Sequence, residues 1–347
     1  MTSPTIPIRN LYYLYCYAWN RFEEAQTIAV EAEQGPDLPT LLVRVLMAGT
    51  RSLLGRGLDR TYLPFREELN TVRGHIELGP TIRLKMRKTR RVDCSFDELT
   101  HDVLHNQLLK ATLKKLCRTS ALAPNLLSDL KHLWMRMADV SDIQLTSAAF
   151  ARVQLHRNNA RYDFLLKICS LLFHDLIPLK AQGDYAFHDI VRDERKMAGV
   201  FERFVLAFYQ TKLSRFRASA RWLNWQATEL ASSHSARIPG MKTDVYLESI
   251  DRRLIIDTKF YRDPLQEHHD NTSYRSGHLF QLFAYLRNDA MTRLHAPVAE
   301  GMLLYAEVED SLDSSYSIHG HIVRIASVNL AQPWQQIEER LLHLVAA

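Results

Sequence analysis

The order of predicted elements indicates an α/β domain in the C-terminal part of the chain, preceded by an α+β domain. After about residue 190, a helical segment is followed by strands, a helix, more strands and a closing helix, which is the order expected of a sheet flanked by helices. Before that point, helical and extended segments occur together. At 347 residues the chain is long enough for about two domains, which we place at 1–190 and 191–347.

The first predicted domain opens with an apolar, aromatic segment at 11–19, which we interpret as core. Ser95-Phe96-Asp97-Glu98 matches a capping box, with Ser95 at the N-cap and Glu98 at N3, so a helix is predicted from there to about Leu116. The other elements predicted in this domain are helices at 38–54, 125–137 and 159–173, and strands at 62–68 and 74–84.

The second predicted domain is built around one hairpin. Strands at 244–247 and 254–260 are joined by a polar turn, and the apolar run 254–256 is typical of a central, buried strand. The remaining predicted elements are helices at 193–213, around 281–285 and at 334–344, strands at 222–227, 301–309 and 319–328, and a loop of mixed charge at 262–275. Within that loop, His268-His269-Asp270 is interpreted as solvated and not as a metal cluster.

Three charged residues lie on the hairpin. Asp244 opens its first strand, and Asp257 and Lys259 are two residues apart on the second, so their side chains leave the same face. A charge next to a buried strand is costly unless it has a partner, and two acids held together repel unless they share a cation or a proton. Two acids and a lysine suit a divalent metal with oxygen ligands, which can activate water for attack on a phosphodiester.

These residues also resemble a known family. Asp244, Asp257-Thr258-Lys259 and the helical pair Gln281 and Tyr285 resemble the PD-(D/E)XK nucleases, with the Q-x-x-x-Y helix of their RecB-like branch. The further runs that carry the resemblance are Arg9-Asn10-Leu11-Tyr12-Tyr13, Tyr17-Ala18-Trp19, Arg73-Gly74-His75-Ile76-Glu77, Phe96-Asp97-Glu98-Leu99 and Val328-Asn329-Leu330. With them, the chain resembles the McrC family, the nuclease subunits of McrBC modification-dependent restriction systems, from residue 6 to about residue 334.

The resemblance implies a restriction-endonuclease-like mixed sheet and a role for each matching residue. Asp244, Asp257 and the backbone carbonyl of Thr258 would bind Mg²⁺, or alternatively Mn²⁺. Lys259 would position or polarise the attacking water. Gln281 and Tyr285 would lie near the metal and orient the DNA backbone or the catalytic groups. Relatives often place another acidic ligand on the preceding helix; Glu202 has that position, although it could equally be a surface residue.

The resemblance also implies a partner, an AAA+ GTPase ring like McrB that reads the methylated base. The expected activity is endonucleolytic cleavage of double-stranded DNA carrying 5-methylcytosine-type modification, dependent on that ring, together with stimulation of its GTPase. None of the 12 glycines is followed by lysine, so a P-loop is lacking and no nucleotide is expected to bind this chain itself.

Six basic residues fall within nine positions without an intervening acid: Arg83, Lys85, Arg87, Lys88, Arg90 and Arg91. The segment could contact DNA phosphates or the partner ring, or could be a solvated loop. The net charge of +5 only weakly favours binding to polyanions such as DNA.

Composition excludes other classes. No apolar run reaches the roughly 18 residues of a membrane span, no signal peptide is indicated, and the four scattered cysteines are typical of reduced thiols. We therefore expect a cytoplasmic protein with no membrane partner. Two alternative functions stay open: an autonomous RecB-like exonuclease or repair nuclease, and a non-catalytic activator of an AAA+ ring.

Overall fold

The computed structural model describes residues 6–21, 37–178, 185–187, 193–225, 227–228, 230, 238–260, 265–268, 271–293, 296–307 and 312–346. The chain forms two compact units. The first, here called the sheet unit, combines residues 1–38 with 189–347, and the second, the inserted unit, is 39–188. The domain that the sequence analysis places at 1–190 differs from these units at its start, because the first 38 residues group with the C-terminal part.

Helices and strands are numbered along the described residues. The helices are α1 Ile8–Ala18, α2 Leu38–Arg56, α3 Leu78–Met86, α4 Leu104–Leu116, α5 Pro124–Met135, α6 Ser147–Ala151, α7 Arg161–Asp175, α8 Glu194–Lys212, α9 Ser276–Thr292 and α10 Trp334–Ala346. The strands are β1 Thr61–Leu69, β2 His75–Ile76, β3 Val92–Thr100, β4 Leu176–Pro178, β5 Tyr185–Phe187, β6 Arg217–Ser219, β7 Trp222–Leu223, β8 Met241–Lys242, β9 Val245–Glu248, β10 Arg253–Phe260, β11 Leu265–His268, β12 Asn271–Tyr274, β13 Glu300–Glu307, β14 Asp313–Ile318 and β15 His321–Asn329. None of these helices is both long and apolar enough to cross a membrane.

The sheet unit contains a mixed six-stranded sheet in the order β14-β15-β13-β10-β9-β6. Strands β10, β13 and β15 run parallel, and the other neighbours pair antiparallel. Ile255 packs in a cluster with Leu282 of α9, whereas the ring of Phe260 lies 6.3 Å from that of Phe201 on α8. Because alternate residues of β10 point to opposite faces, α8 and α9 cover opposite faces of this strand. The predicted α/β architecture of this part is confirmed.

Helix α1 is core of the sheet unit. The ring of Tyr13 stacks on that of Trp334 with centroids 4.6 Å apart, and Tyr17 meets Phe204 edge-on at 5.6 Å. The Asn10 side chain donates to the carbonyls of Leu330, at 2.7 Å, and Gln332, at 2.8 Å. The prediction that the aromatic segment 11–19 is buried is confirmed, but the core that it joins is the one made by α8 and α10.

The inserted unit corrects the predicted helix after Ser95. Residues 92–100 form β3, which pairs along its whole length with β1, and α4 begins only at Leu104. The Ser95 hydroxyl donates to Glu77 at 2.9 Å, so it caps no helix. The capping-box prediction was wrong because a nine-residue antiparallel ladder satisfies the same backbone groups that a helix start would have used.

The predicted strand at 74–84 was also wrong over most of its length. Only β2 is extended there, and the chain continues as α3. Gly74 makes the entry to β2 possible, since it has a φ of +68° and a Cβ at this position would lie 2.4 Å from the Ser95 carbonyl oxygen.

The stretch predicted as a loop at 262–275 contains the hairpin β11–β12, with register Leu265↔Tyr274. Paired strands satisfy backbone groups that an irregular loop would leave to water, and mixed charge in the side chains does not prevent this. Of the tripeptide His268-His269-Asp270, only His268 lies within the described residues.

Candidate metal and catalytic site

The hairpin β9–β10 positions the charged residues that the sequence singles out. Its register is Glu248↔Arg253, and the turn is closed by the Ser249 backbone N–H, which donates to the Arg252 carbonyl at 2.9 Å. Six consecutive residues of β10, from Arg253 to Thr258, are buried, as the apolar run predicts for a central strand. The hairpin therefore carries Asp257 into the interior of the protein at the C-terminal end of that strand.

Asp257 is fully buried, and Lys259 Nζ lies 2.7 Å from its Oδ2. This ion pair confirms that the two side chains share a face. Neither carboxylate oxygen accepts a well-aligned hydrogen bond from a described residue. Burial raises the pKa of Asp257 to about 7; the negative charges of Asp244 and Glu202 act in the same direction, while Lys259 opposes them. Asp257 is thus a buried acid with unused oxygen lone pairs.

Asp244 is held beside Asp257 by the next residue of the strand. The Thr258 backbone N–H and its hydroxyl both donate to Asp244 Oδ2, each at 2.8 Å. This contact was not foreseen from the sequence, where Thr258 was considered only for its carbonyl. The hairpin therefore fixes Oδ2 of Asp244. Both bonds from Thr258 go to this oxygen, and neither goes to Oδ1.

Glu202 on α8 belongs to the same electrostatic environment. Its pKa is raised, first by burial and then by the negative charge of Asp244, and is lowered in turn by Lys242 and Lys259. Glu202 therefore senses the charge of Asp244, and its role as a further ligand stays a prediction.

Gln281 and Tyr285 extend the site through a chain of hydrogen bonds. Lys259 Nζ donates to Gln281 Oε1 at 3.1 Å, and Gln281 Nε2 donates to the Tyr285 hydroxyl at 2.7 Å. That hydroxyl donates to the carbonyl of Lys242 at 3.1 Å. Burial raises the pKa of Tyr285, so it stays a neutral donor. Helix α9 therefore supplies a second contact, besides Asp257, that fixes the Lys259 ammonium group.

His278 and Tyr305 were missed by the sequence reasoning. His278 precedes Gln281 by one turn of α9, and its Nδ1 lies 2.9 Å from the Tyr305 hydroxyl. Tyr305 is the register partner of Lys259 across the parallel β10–β13 pair. Burial, with Lys259 and Arg275, lowers the pKa of His278 to about 4, so the imidazole is neutral at pH 7. The i, i+3, i+7 spacing of His278, Gln281 and Tyr285 was the available signal.

The basic segment lies in the inserted unit, on α3 and just after it. All six side chains are exposed: Arg83, Lys85, Arg87, Lys88, Arg90 and Arg91. Within the described part of the chain none of them forms an ion pair. Lys88 has a φ of +58°, so the chain turns sharply there. The segment presents a solvated cluster of positive charge on the inserted unit.

The acid site fits a divalent metal by its chemistry. Its candidate donors are oxygens only, and Asp257 is buried with no well-aligned hydrogen bond from a described residue to either oxygen. A cation would offset the burial and the repulsion that raise its pKa. Among the described side chains, no three His, Cys, Asp or Glu residues form a ready-made metal cage. In this structure the ammonium group of Lys259 partly neutralises the charge of Asp257.

The fold and the site define a class: a mixed α/β protein with an acid–lysine site at the C-terminal end of a central parallel strand. Residues 9–306 match the family described as McrBC 5-methylcytosine restriction system component. The chain belongs to this family. The match covers most of the sheet unit and the whole of the inserted unit.

Individual relatives agree with this assignment. The chain is 29% identical over 344 residues to a protein of Escherichia coli (strain K12) described as the type IV methyl-directed restriction enzyme EcoKMcrBC, covering 99% of this chain and 98% of that one. It also resembles a chain in a half-complex from the tetradecameric assembly of Thermococcus gammatolerans McrB AAA+ hexamers with bound McrC. The TM-score is 0.59 at 17% identity, over 98% of this chain and 76% of the other, and it supports the fold.

Proposed function

We propose that this chain is the metal-dependent DNA endonuclease subunit of a GTP-driven, modification-dependent restriction complex. The observation that carries the proposal is Asp257, a fully buried carboxylate whose one described polar contact is Lys259 Nζ, 2.7 Å from Oδ2, and whose pKa is raised by burial and by the charges of Asp244 and Glu202. A purely structural acid at this depth would be expected to have its oxygens satisfied by donors. An acid that binds a cation does not need such donors, because the cation takes their place at its oxygens.

Asp244 and Asp257 would hold the metal, with the Thr258 carbonyl and Glu202 as further ligands. Mg²⁺, or Mn²⁺ in its place, takes such oxygen ligands. When bound, the ion supplies Lewis-acid stabilisation of the phosphodiester and lowers the pKa of a bound water.

The protein's own groups position the reactants. Lys259 carries a positive charge between Asp257 and Gln281, where it can orient water and offset charge that develops on phosphate. Gln281 and Tyr285 fix its position from α9, and Thr258 fixes Asp244. Asp257 must be ionised to act as a ligand, and the nearby ammonium group favours that form.

Partner and substrate follow from the family and its relatives. The family description names a 5-methylcytosine restriction system, and the related assembly contains McrB AAA+ hexamers with bound McrC. We infer an AAA+ GTPase ring as partner, methylated double-stranded DNA as substrate, and stimulation of the ring's GTPase by this chain. The absence of a P-loop in the sequence agrees with GTP binding on another polypeptide.

Asp257→Asn is the direct test, because it preserves shape while removing the ionisable group. With partner ring, GTP, Mg²⁺ and methylated duplex, the variant should lose cleavage, and direct titration should show weaker Mn²⁺ binding. Asp251→Asn is the matched control, since Asp251 is an exposed acid in the turn at the other end of the same hairpin. Wild-type cleavage and wild-type Mn²⁺ affinity in Asp257→Asn would refute the site.

A further inference from the structure

His278 lies beside Lys259, on the flank of the site that β13 forms. Lys259 and Tyr305 are register partners in the parallel pair β10–β13, so their Cα atoms lie about 4.8 Å apart and their side chains leave the same face. The imidazole Nδ1 of His278 lies 2.9 Å from the Tyr305 hydroxyl. His278 is therefore held in the site by a neighbouring strand as well as by α9, which also carries Gln281.

Tyr305 fixes the orientation of the imidazole. It is completely buried, and a buried hydroxyl requires a polar partner, which His278 provides through Nδ1. His278 itself is only half-buried, so it can be reached from solvent. Because Nδ1 faces Tyr305, the edge of the imidazole that carries Nε2 is the part that a bound ligand would contact.

The two flanks of β10 differ in charge. Asp244 precedes β9 on one side of β10, whereas His278 and Tyr305 lie on the side of β13. The pKa of His278 is lowered by burial first, and then by the positive charges of Lys259 and Arg275. The first turn of α9 adds partial positive charge, because it contains no acidic residue and the side chain of Arg275 does not cap it. A ligand held on the β13 flank is therefore expected to be an anion.

We propose that His278 binds the DNA phosphate next to the one that is cut, through the edge of its imidazole that carries Nε2. This inference rests on the proposed nuclease function. A DNA backbone that crosses the end of the sheet from β9 to β13 meets Asp244 first, then the Asp257–Lys259 pair, and then His278. A hydrogen bond to a phosphate positions the backbone and reads no base. The contact at His278 thus aligns the duplex so that the neighbouring phosphate lies at Asp257.

The two nitrogens of the imidazole separate this role from a purely structural one. Asparagine places its amide near the position of Nδ1, and glutamine places its amide near the position of Nε2. His278→Gln should therefore keep most of the DNA affinity, whereas His278→Asn keeps only the contact with Tyr305 and should lose it. The opposite ranking, with Asn binding DNA normally and Gln impaired, would show that His278 serves only Tyr305 and would overturn the inference.

The first measurement is steady-state cleavage of a methylated duplex by the assembled complex with partner ring, GTP and Mg²⁺. His278→Ala should raise KM about tenfold with little change in kcat, because the lost hydrogen bond is the same in the ground state and the transition state. His343→Ala is the matched control, since His343 is an exposed histidine on α10. An unchanged KM in a folded His278→Ala variant would contradict the contact.

A binding measurement separates the contact from the nuclease proposal. In an Asp257→Asn background, the complex is titrated by anisotropy with duplexes that carry one methylphosphonate, which replaces a charged phosphate oxygen by a methyl group. At the contacted phosphate this change should weaken binding about tenfold, and it should have no further effect in a His278→Ala variant.

The two proposals can then fail independently. If no position along the duplex shows this coupling to His278, the inference is overturned even when the wild type cleaves normally. If one position shows coupling but the wild type does not cleave, the phosphate contact is supported and the nuclease assignment is refuted.

Discussion

Thr258 holds Asp244 through two donors at once, its backbone N–H and its hydroxyl, each 2.8 Å from the same carboxylate oxygen. The two residues are 14 positions apart and are brought together by the hairpin. In the D-T-K motif the middle residue therefore has a specific task, which is to fix the acid contributed by the other strand.

Thr258→Val should weaken cleavage while leaving the fold in place. It removes the hydroxyl donor but keeps the backbone N–H and the branched shape, and a hydrogen bond to a charged group contributes about 1.5–3 kcal/mol. We expect cleavage to fall by about tenfold or more, with weaker Mn²⁺ binding. Thr258→Ser retains the hydroxyl and should restore most activity. Equal cleavage by Val and Ser variants would show that the backbone N–H alone positions Asp244.

Lys259→Ala should separate the two proposed activities. The ammonium group next to Asp257 is lost, so cleavage of methylated duplex should fall by orders of magnitude, while GTP hydrolysis by the partner ring should still be stimulated. Lys212→Ala is the control, because Lys212 pairs with Glu338 at the end of α8, away from Asp257. If a folded Lys259→Ala variant lost both activities, the assignment of cleavage and ring stimulation to different groups would be wrong.

The buried acid should make stability depend on pH when metal is absent. Burial raises the pKa of Asp257 from its ordinary value of 3.8 to about 7 in the folded protein, so the folded state holds this proton more tightly. The stabilisation from the proton is complete below about pH 4 and is lost as the pH rises through about 7. Between about pH 5 and pH 8, the wild type should lose more unfolding free energy than Asp257→Asn does.

Chemical denaturation of both proteins in the presence of a chelator measures this difference. Saturating Mg²⁺ should reduce the pH-dependent loss in the wild type, because binding to the ionised carboxylate stabilises the folded state, and should have little effect on the variant. Parallel pH curves for the two proteins without metal would contradict a raised pKa at Asp257.

Replacing Arg87, Lys88 and Arg90 by alanine tests the basic segment. If these residues neutralise DNA phosphates, the slope of log affinity against log salt should flatten by up to roughly 3. If they instead meet an acidic surface of the ring, complex formation should become slower and more weakly salt-dependent while DNA affinity is retained. We favour the ring, because the segment lies outside the sheet unit.

The control for that experiment removes the same charge elsewhere in the inserted unit. Arg118, Lys131 and Arg136 are exposed basic residues there, and replacing all three by alanine should change neither measurement. No effect of the Arg87, Lys88 and Arg90 substitutions on DNA or ring binding at any salt concentration would show that the segment is only a solvated loop.

Local rules predicted the parts of the site that depend on local geometry. Strand alternation was sufficient to place Asp257 and Lys259 on one face, and an apolar run predicted the buried strand. The predictions that were wrong depended on pairing between strands that are far apart in the sequence. Ser95 belongs to a capping-box pattern that a strand can also carry, and only β1, about 30 residues earlier, decides between them. Thr258 could not be assigned its donor role until the hairpin register was known.

Helix α1 has a consequence for how the protein is made and dissected. Its Asn10 side chain donates to a carbonyl 320 positions later, so the surroundings of this helix are complete only after that distant segment has been synthesised. A nascent chain that ends before Trp334 leaves the rings of Tyr13 and Tyr17 without that partner. A fragment that starts at residue 191 would lack helix α1, whose aromatic rings pack in the core of the sheet unit. A fragment that keeps this core must therefore carry residues 6–18 together with the C-terminal part.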